Sequence, residues 1–147
     1  MKRLPVIIGL LVIAFFGGRE FGFPPDSATI LPANVGEADA TLRAAYENQR
    51  SDLQIHGDGE VVKVLSDDND GSRHQRFILR TSTGQTVLIA HNIDLADRVE
   101  DLTVGDRVEF NGEYEWNTKG GVIHWTHRDP QGWHEGGWIR HKGRTYE

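Results

Sequence analysis

Five side chains able to bind a metal or move a proton fall in two short motifs, His91-Asn-Ile-Asp94 and His124-Trp-Thr-His-Arg-Asp129. His74, further upstream, can join them. Two chemistries suit such a set. Two histidines and a carboxylate can hold a divalent transition metal, with His74, His91 and His124 as candidate ligands. A histidine oriented by a carboxylate can act as a general acid or base, which makes His91, Asp94, His124, His127 and Asp129 the catalytic candidates. The chain has no cysteine, which excludes thiolate zinc sites, thiol nucleophiles and disulfide scaffolds. The stretch Gly120–His134 alone holds three of the seven histidines and two of the four tryptophans, so it is the densest candidate region.

The spacing of these groups depends on the element that carries them. His124-x-x-His127 would put both rings on one face of a helix, but on a strand the odd offset sends them to opposite faces. The local pattern is strand-like, and Pro130 breaks it because proline cannot donate to a ladder. His127 and Asp129, two apart, then fall on one side, where the carboxylate can orient the imidazole. Any metal site must recruit His74, His91 or Asp94 from neighbouring strands.

Those strands are visible as alternation. Glu60–Leu65 leads into the acidic turn Ser66-Asp-Asp-Asn-Asp-Gly71, where an EF-hand reading fails because Phe77 stands where the bidentate glutamate belongs. In His74–Thr81, Gln75, Phe77 and Leu79 share one side, and His74, Arg76, Ile78 and Arg80 the other. Thr86–His91 returns the chain. Leu95–Leu102 has its apolar residues at helical spacing behind the capping candidates Asn92 and Asp94. The clearest strand follows, with Val108, Phe110, Tyr114 and Trp116 on one face and Glu109, Asn111, Glu113 and Glu115 on the other. Asn117–Gly121 turns it into Val122–Thr126, and Gly137–Glu147 reads as a terminal hairpin. Three strands, a short helix and two strands form the layout of an OB-fold, a five-stranded barrel, here preceded by a helix over 37–50. The expected organisation is a targeting segment at 1–19, a linker at 20–36 and an OB-like domain at 37–147. Within that domain the barrel spans 53–130 and the hairpin 137–147.

The targeting segment starts with Met1-Lys-Arg3 and runs apolar from Leu4 to Phe16, as a signal peptide or signal anchor does. It implies an extracytoplasmic domain, held at the inner membrane or released from it. Phe21–Val35, with Pro24, Pro25 and Pro32, reads as the linker. From Glu20 onward 13 Lys and Arg stand against 22 Asp and Glu, a net of −9, which disfavours sequence-independent nucleic-acid binding. The imbalance is uneven. Residues 52–115 hold 14 acids and 6 bases, whereas 117–147 hold 3 acids, 5 bases and four histidines.

Several landmarks together resemble a bacterial family known only as an uncharacterised domain: His74-Gln-Arg-Phe77, Ala90-His-Asn-Ile-Asp94, Gly112-Glu-Tyr-Glu-Trp-Asn117, Gly120-Gly-Val-Ile-His-Trp-Thr-His127 with Asp129-Pro130, and Gly137-Trp-Ile139. The resemblance spans roughly Ser51–Tyr146. It implies an OB-like domain behind a signal or anchor, and no particular activity. A more distant likeness to staphylococcal-nuclease-type enzymes rests on Val61-Val-Lys-Val64 before the acidic turn. The Asp-Gly-Asp-Thr motif of those enzymes is absent, so the likeness is one of fold.

Two function classes remain. One is a binding module that holds a small or oligomeric ligand against Trp125, Trp133 and Trp138, with His74 and Arg76 beside them, since aromatic faces stack on sugars and bases. The other is a metal-assisted hydrolase, such as a phosphodiesterase, built on the His/Asp set. Trp116 reads as core. Arg76 and Arg80 are expected to balance Glu109, Glu113 and Glu115 by cross-strand pairing.

Overall fold

The computed structural model describes residues 33–147, so the apolar segment at 1–19 and most of the 20–36 linker lie outside the described residues. One helix, α1 (Ala33–Glu47), precedes seven strands: β1 (Leu53–Val64), β2 (His74–Arg80), β3 (Thr86–Asn92), β4 (Arg107–Glu115), β5 (Val122–His124), β6 (Trp138–His141) and β7 (Arg144–Tyr146). Among the described residues no helix is long and apolar enough to cross a membrane.

Period-two alternation gives each strand one apolar side, and a sheet of such strands buries that side by curling on itself. The strands pair in the order β1-β2-β3-β5-β4, and β4 pairs with β1 again, which closes a five-strand barrel. Only the β3–β5 contact is parallel among the pairs of the ring. Inside lie Ile55, Val61, Phe77, Leu79, Val87, Ile89, Val108, Phe110, Tyr114 and Ile123, all buried. The expected facing of β2 and β4 is the facing observed, and Trp116 packs against the core while half-buried.

β1 serves two neighbours because it bends. Leu53–Glu60 pairs with β4, and Glu60–Val64 pairs with β2 across a bulge between Val61 and Lys63. Gly59 sits at the bend, where a Cβ would lie 2.9 Å from the Arg80 carbonyl oxygen. β4 is also shared along one edge. β5 takes Glu113–Glu115, and β6 takes Val108–Asn111, with β7 added outside β6.

α1 starts at Ala33, inside the expected linker, and ends at Glu47, three residues before the expected Arg50. Its narrow stripe of Ala38, Leu42 and Ala45 is buried on the barrel, and the Trp116 indole N–H reaches the Tyr46 carbonyl at 3.1 Å.

The helix expected over 95–102 is absent; that segment is a series of turns. Apart from the Ala96 N–H, which reaches the Asn92 carbonyl at 3.2 Å, the bonded backbone groups here are held by side chains. Asn92 Oδ1 accepts the Asp94 N–H at 2.9 Å, and the Asp97 carbonyl pairs with His91 Nε2 at 3.0 Å. The buried Gln75 amide holds Val99 at both its N–H (2.8 Å) and its carbonyl (3.0 Å). Side-chain bonds of this kind compete with the helical ladder and here replace it.

Candidate functional site

β4 turns Glu109, Asn111, Glu113 and Glu115 outward, and pairing with β5 sets His124 directly across from Glu113. His124 Nε2 then lies 3.5 Å from Glu113 Oε1 and 3.4 Å from Glu115 Oε1. Although it sits within ion-pair range of both carboxylates, this nitrogen is buried and has no hydrogen-bond partner. The spacing is long for a hydrogen bond, whose N···O distance is about 2.7–3.2 Å. It matches neighbouring ligands on a tetrahedral metal, which bonds of about 2.0–2.2 Å place roughly 3.3–3.6 Å apart. All three ligand atoms lie within 4.8 Å of one another.

The second oxygen of Glu113 binds His134 Nε2, so one carboxylate stands between two imidazoles. His134 comes from the loop that follows Asp129-Pro130. Asp129 shapes that loop by accepting the backbone N–H groups of Gln131 (2.9 Å), Trp133 (2.7 Å) and His134 (2.8 Å). The Gln131 N–H first, then that of His134, hold its carboxyl below the ordinary range. For His134 itself, burial opposes the charged ring, but the Glu113 carboxylate, the Glu135 carbonyl and the Asp129 charge outweigh it and raise the pKa.

Trp125 supplies the wall. Its backbone is left-handed, at φ 52°, and β5 stops at His124 rather than at the expected Thr126. The indole stacks on His134 with centroids 4.2 Å apart and planes 9° apart, and tilts against His127 at 5.4 Å.

Most of the other candidates lie elsewhere. His91 is fully buried on the core side of β3, with Nδ1 bonded to Thr126 Oγ1 (2.8 Å) and Nε2 to the Asp97 carbonyl (3.0 Å). Burial lowers its pKa to about 4, so the ring is neutral with both nitrogens committed, and neither is free for a metal. His74 gives Nδ1 to the Ser72 carbonyl at 2.8 Å, and Asp94 is taken by the backbone N–H and guanidinium of Arg73. His127 is buried and bonded to the Arg128 carbonyl at 2.6 Å. It does not bond Asp129, whose carboxylate accepts the N–H groups of Gln131, Trp133 and His134 instead. Among the described residues, one set of three groups is placed to share a metal, and of His74, His91 and His124 it contains only His124.

The three tryptophans have separate surroundings. Trp133 is exposed, whereas Trp138 meets His56 edge-on at 4.9 Å and lies under the Arg140 guanidinium. The cross-strand pairing expected for the arginines differs as well. Arg80 pairs with Glu60, and Glu109 pairs with His56 (2.6 Å) and Arg140 (3.0 Å). β2 and β4 are not neighbours in the barrel, so Arg76 and Arg80 cannot reach the acidic face of β4.

Glu113, Glu115 and His134 are the site residues that sequence reasoning missed. The first two had a signal. Folding the Asn117–Gly121 hairpin back on β4 sets Glu115 opposite Val122 and Glu113 opposite His124. His134 had no comparable signal, because only the Asp129 loop brings it back to Glu113.

No match was found among the curated proteins. Residues 27–147 match the model of a family described as a protein of unknown function, DUF3465. That match covers most of the chain, and the chain belongs to this family of unknown function.

Proposed function

We propose that this is an extracytoplasmic, OB-type binding domain whose ligand is a divalent transition-metal ion held by His124, Glu113 and Glu115. The carrying observation is the buried, unbonded Nε2 of His124, set at tetrahedral-edge distances from two carboxylate oxygens. A single mixed nitrogen–oxygen set suits zinc, manganese, cobalt or nickel better than calcium, which takes six to eight oxygens. The barrel order β1-β2-β3-β5-β4 with a parallel β3–β5 contact supports the OB reading. The basic–apolar start at 1–19 supports export and a membrane tether.

The test is metal content of the domain purified without chelator, followed by calorimetric titration with zinc and manganese. Wild type should bind one ion per chain, and His124→Ala should weaken binding by about 100-fold or more, because a ligand is removed outright. A wild-type domain that takes up no metal in either measurement would end the proposal.

One observation favours the hydrolase as a second reading. Three protein ligands leave a coordination position open, as in catalytic zinc sites, and His134 stands beside it on Glu113. Turnover of a simple phosphodiester by the metal-loaded domain, lost in His134→Ala while metal stays bound, is the result expected of that reading. Metal binding without turnover leaves the binding domain alone standing.

A further inference from the structure

The outer face of β2 and β3, beside the β5 strand that carries His124, holds a cleft of about 270 Å³ between Leu65 and Arg76 on one side and Asn117 and Lys119 on the other. Its floor is Ile78 and Leu88, which are paired across the two strands and half-buried. The rim is cationic. Of the lysines and arginines among the described residues, nine pair with a described carboxylate. Only Arg50, Lys63, Arg76 and Lys119 do not, and two of these four line this one cleft. In a domain this acidic, cations without acidic partners stand out.

The Arg76 side chain and the backbone of Lys119 each have a fixed setting. Arg76 Nε donates to the Ser66 carbonyl at 3.0 Å, its one side-chain hydrogen bond among the described residues, so its terminal nitrogens keep their donors. The Lys119 loop is tied by Asn117 Oδ1, which accepts the backbone N–H groups of Lys119 (2.9 Å) and Gly121 (3.0 Å). Gly120, at φ 120°, lets that loop lie against β3; a Cβ there would come within 2.4 Å of the Thr86 carbonyl oxygen. The loop is therefore seated over the floor with its ammonium at the rim.

We infer that this cleft binds a small amphiphilic organic anion, with its apolar body on Ile78 and Leu88 and its anionic group between Arg76 and Lys119. The chemistry follows from the lining. An apolar floor removes a hydrocarbon or ring surface from water, and two cations without carboxylate partners select negative charge. Among the described residues no aromatic side chain lines the cleft, and the lining offers apolar contact and positive charge rather than stacking. The volume suits a small molecule rather than a chain segment. The proposal is independent of the metal site, which uses different residues.

The probe is 8-anilinonaphthalene-1-sulfonate, titrated by fluorescence into the folded domain, with the neutral N-phenyl-1-naphthylamine as its uncharged counterpart. Wild type should bind the sulfonate saturably, one molecule per chain. The double variant Arg76→Gln with Lys119→Gln should weaken it by about tenfold or more, since two charge-assisted contacts are lost. The neutral compound should show no such dependence, and His124→Ala should bind the sulfonate like wild type. Lys119→Glu alters only an exposed loop side chain, keeps the fold, and should weaken binding on its own. An absence of saturable binding, equal affinity in the double variant, or an equal effect of the variants on the neutral compound would overturn the inference.

Discussion

His91 illustrates what a single buried side chain does to stability. Its ring spans from the core to Thr126 and the Asp97 carbonyl, and so pins both the end of β5 and the long β3–β4 connection. Burial lowers its pKa from 6.5 to about 4, and charge on His127 or His74 pushes in the same direction. The unfolded chain therefore takes up a proton near pH 6.5, whereas the folded chain resists until about 4. Stability from this residue is complete above the unfolded value and declines as pH falls through that window, by roughly 3 kcal/mol in all. Asp106 titrates in a separate window: the Thr103 N–H, then His141, lower it to about 2, so its contribution is lost only at more acidic pH. Denaturant unfolding at pH 7 and pH 4.5 checks this. Wild type should lose stability between the two, and His91→Gln, which cannot titrate, should lose much less. Equal losses would assign the slope to another group.

At the scale of elements, the site depends on how closely β5 lies on β4. Gly112 permits that approach: a Cβ there would stand 2.5 Å from the His124 carbonyl oxygen and 2.7 Å from Ile123 Cγ2. Gly112→Ala must push β5 outward, at a cost of about 1–3 kcal/mol, the usual range for overpacking. Because the displaced residue is His124, zinc affinity should fall with the melting temperature. Gly36→Ala is the control. It adds a Cβ to α1 with no described neighbour within 4 Å, and should stabilise by about 0.5–1 kcal/mol. An unchanged metal affinity in Gly112→Ala would show that the ligand set tolerates a shifted strand. The same dependence on pairing explains what the sequence could disclose. Facing within β2 and β4 was legible because alternation is local, and so was the terminal hairpin. The 95–102 helix was misread because its apolar spacing is helical, yet His91 takes the Asp97 carbonyl and Gln75, distant in sequence, takes both backbone groups of Val99, which holds the segment in turns. The histidine cluster was legible as a region but not as a site. Strand facing removes His91 to the core, and the left-handed Trp125 together with the Asp129 loop brings in His134, which no spacing rule would select.

Across the whole molecule, the two proposed sites share one outer surface. β3 pairs Leu88 with Val122 of β5, and Val122 in turn pairs with Glu115 of β4, so a single valine stands between the cleft floor and the metal carboxylates. The β6–β7 hairpin lies elsewhere, on the stretch of β4 edge that β5 leaves uncovered. There it buries Ile139 and Tyr146, and Gly137 passes where a Cβ would lie 2.1 Å from the Trp125 carbonyl oxygen and 2.3 Å from that of Asn111. A hairpin admitted through so narrow a gap acts as part of the barrel wall. Ending the chain after Gly136 would remove three buried side chains, Ile139, His141 and Tyr146, and leave Val108–Asn111 as an unpaired edge, the kind of edge that recruits another strand. The truncated domain should melt at a lower temperature, and light scattering after size exclusion should show association that the full chain lacks under the same conditions. A monomer with an unchanged melting temperature would make the hairpin an ornament. The five-strand barrel would then be sufficient by itself to hold β4 and β5 together around Glu113, Glu115 and His124.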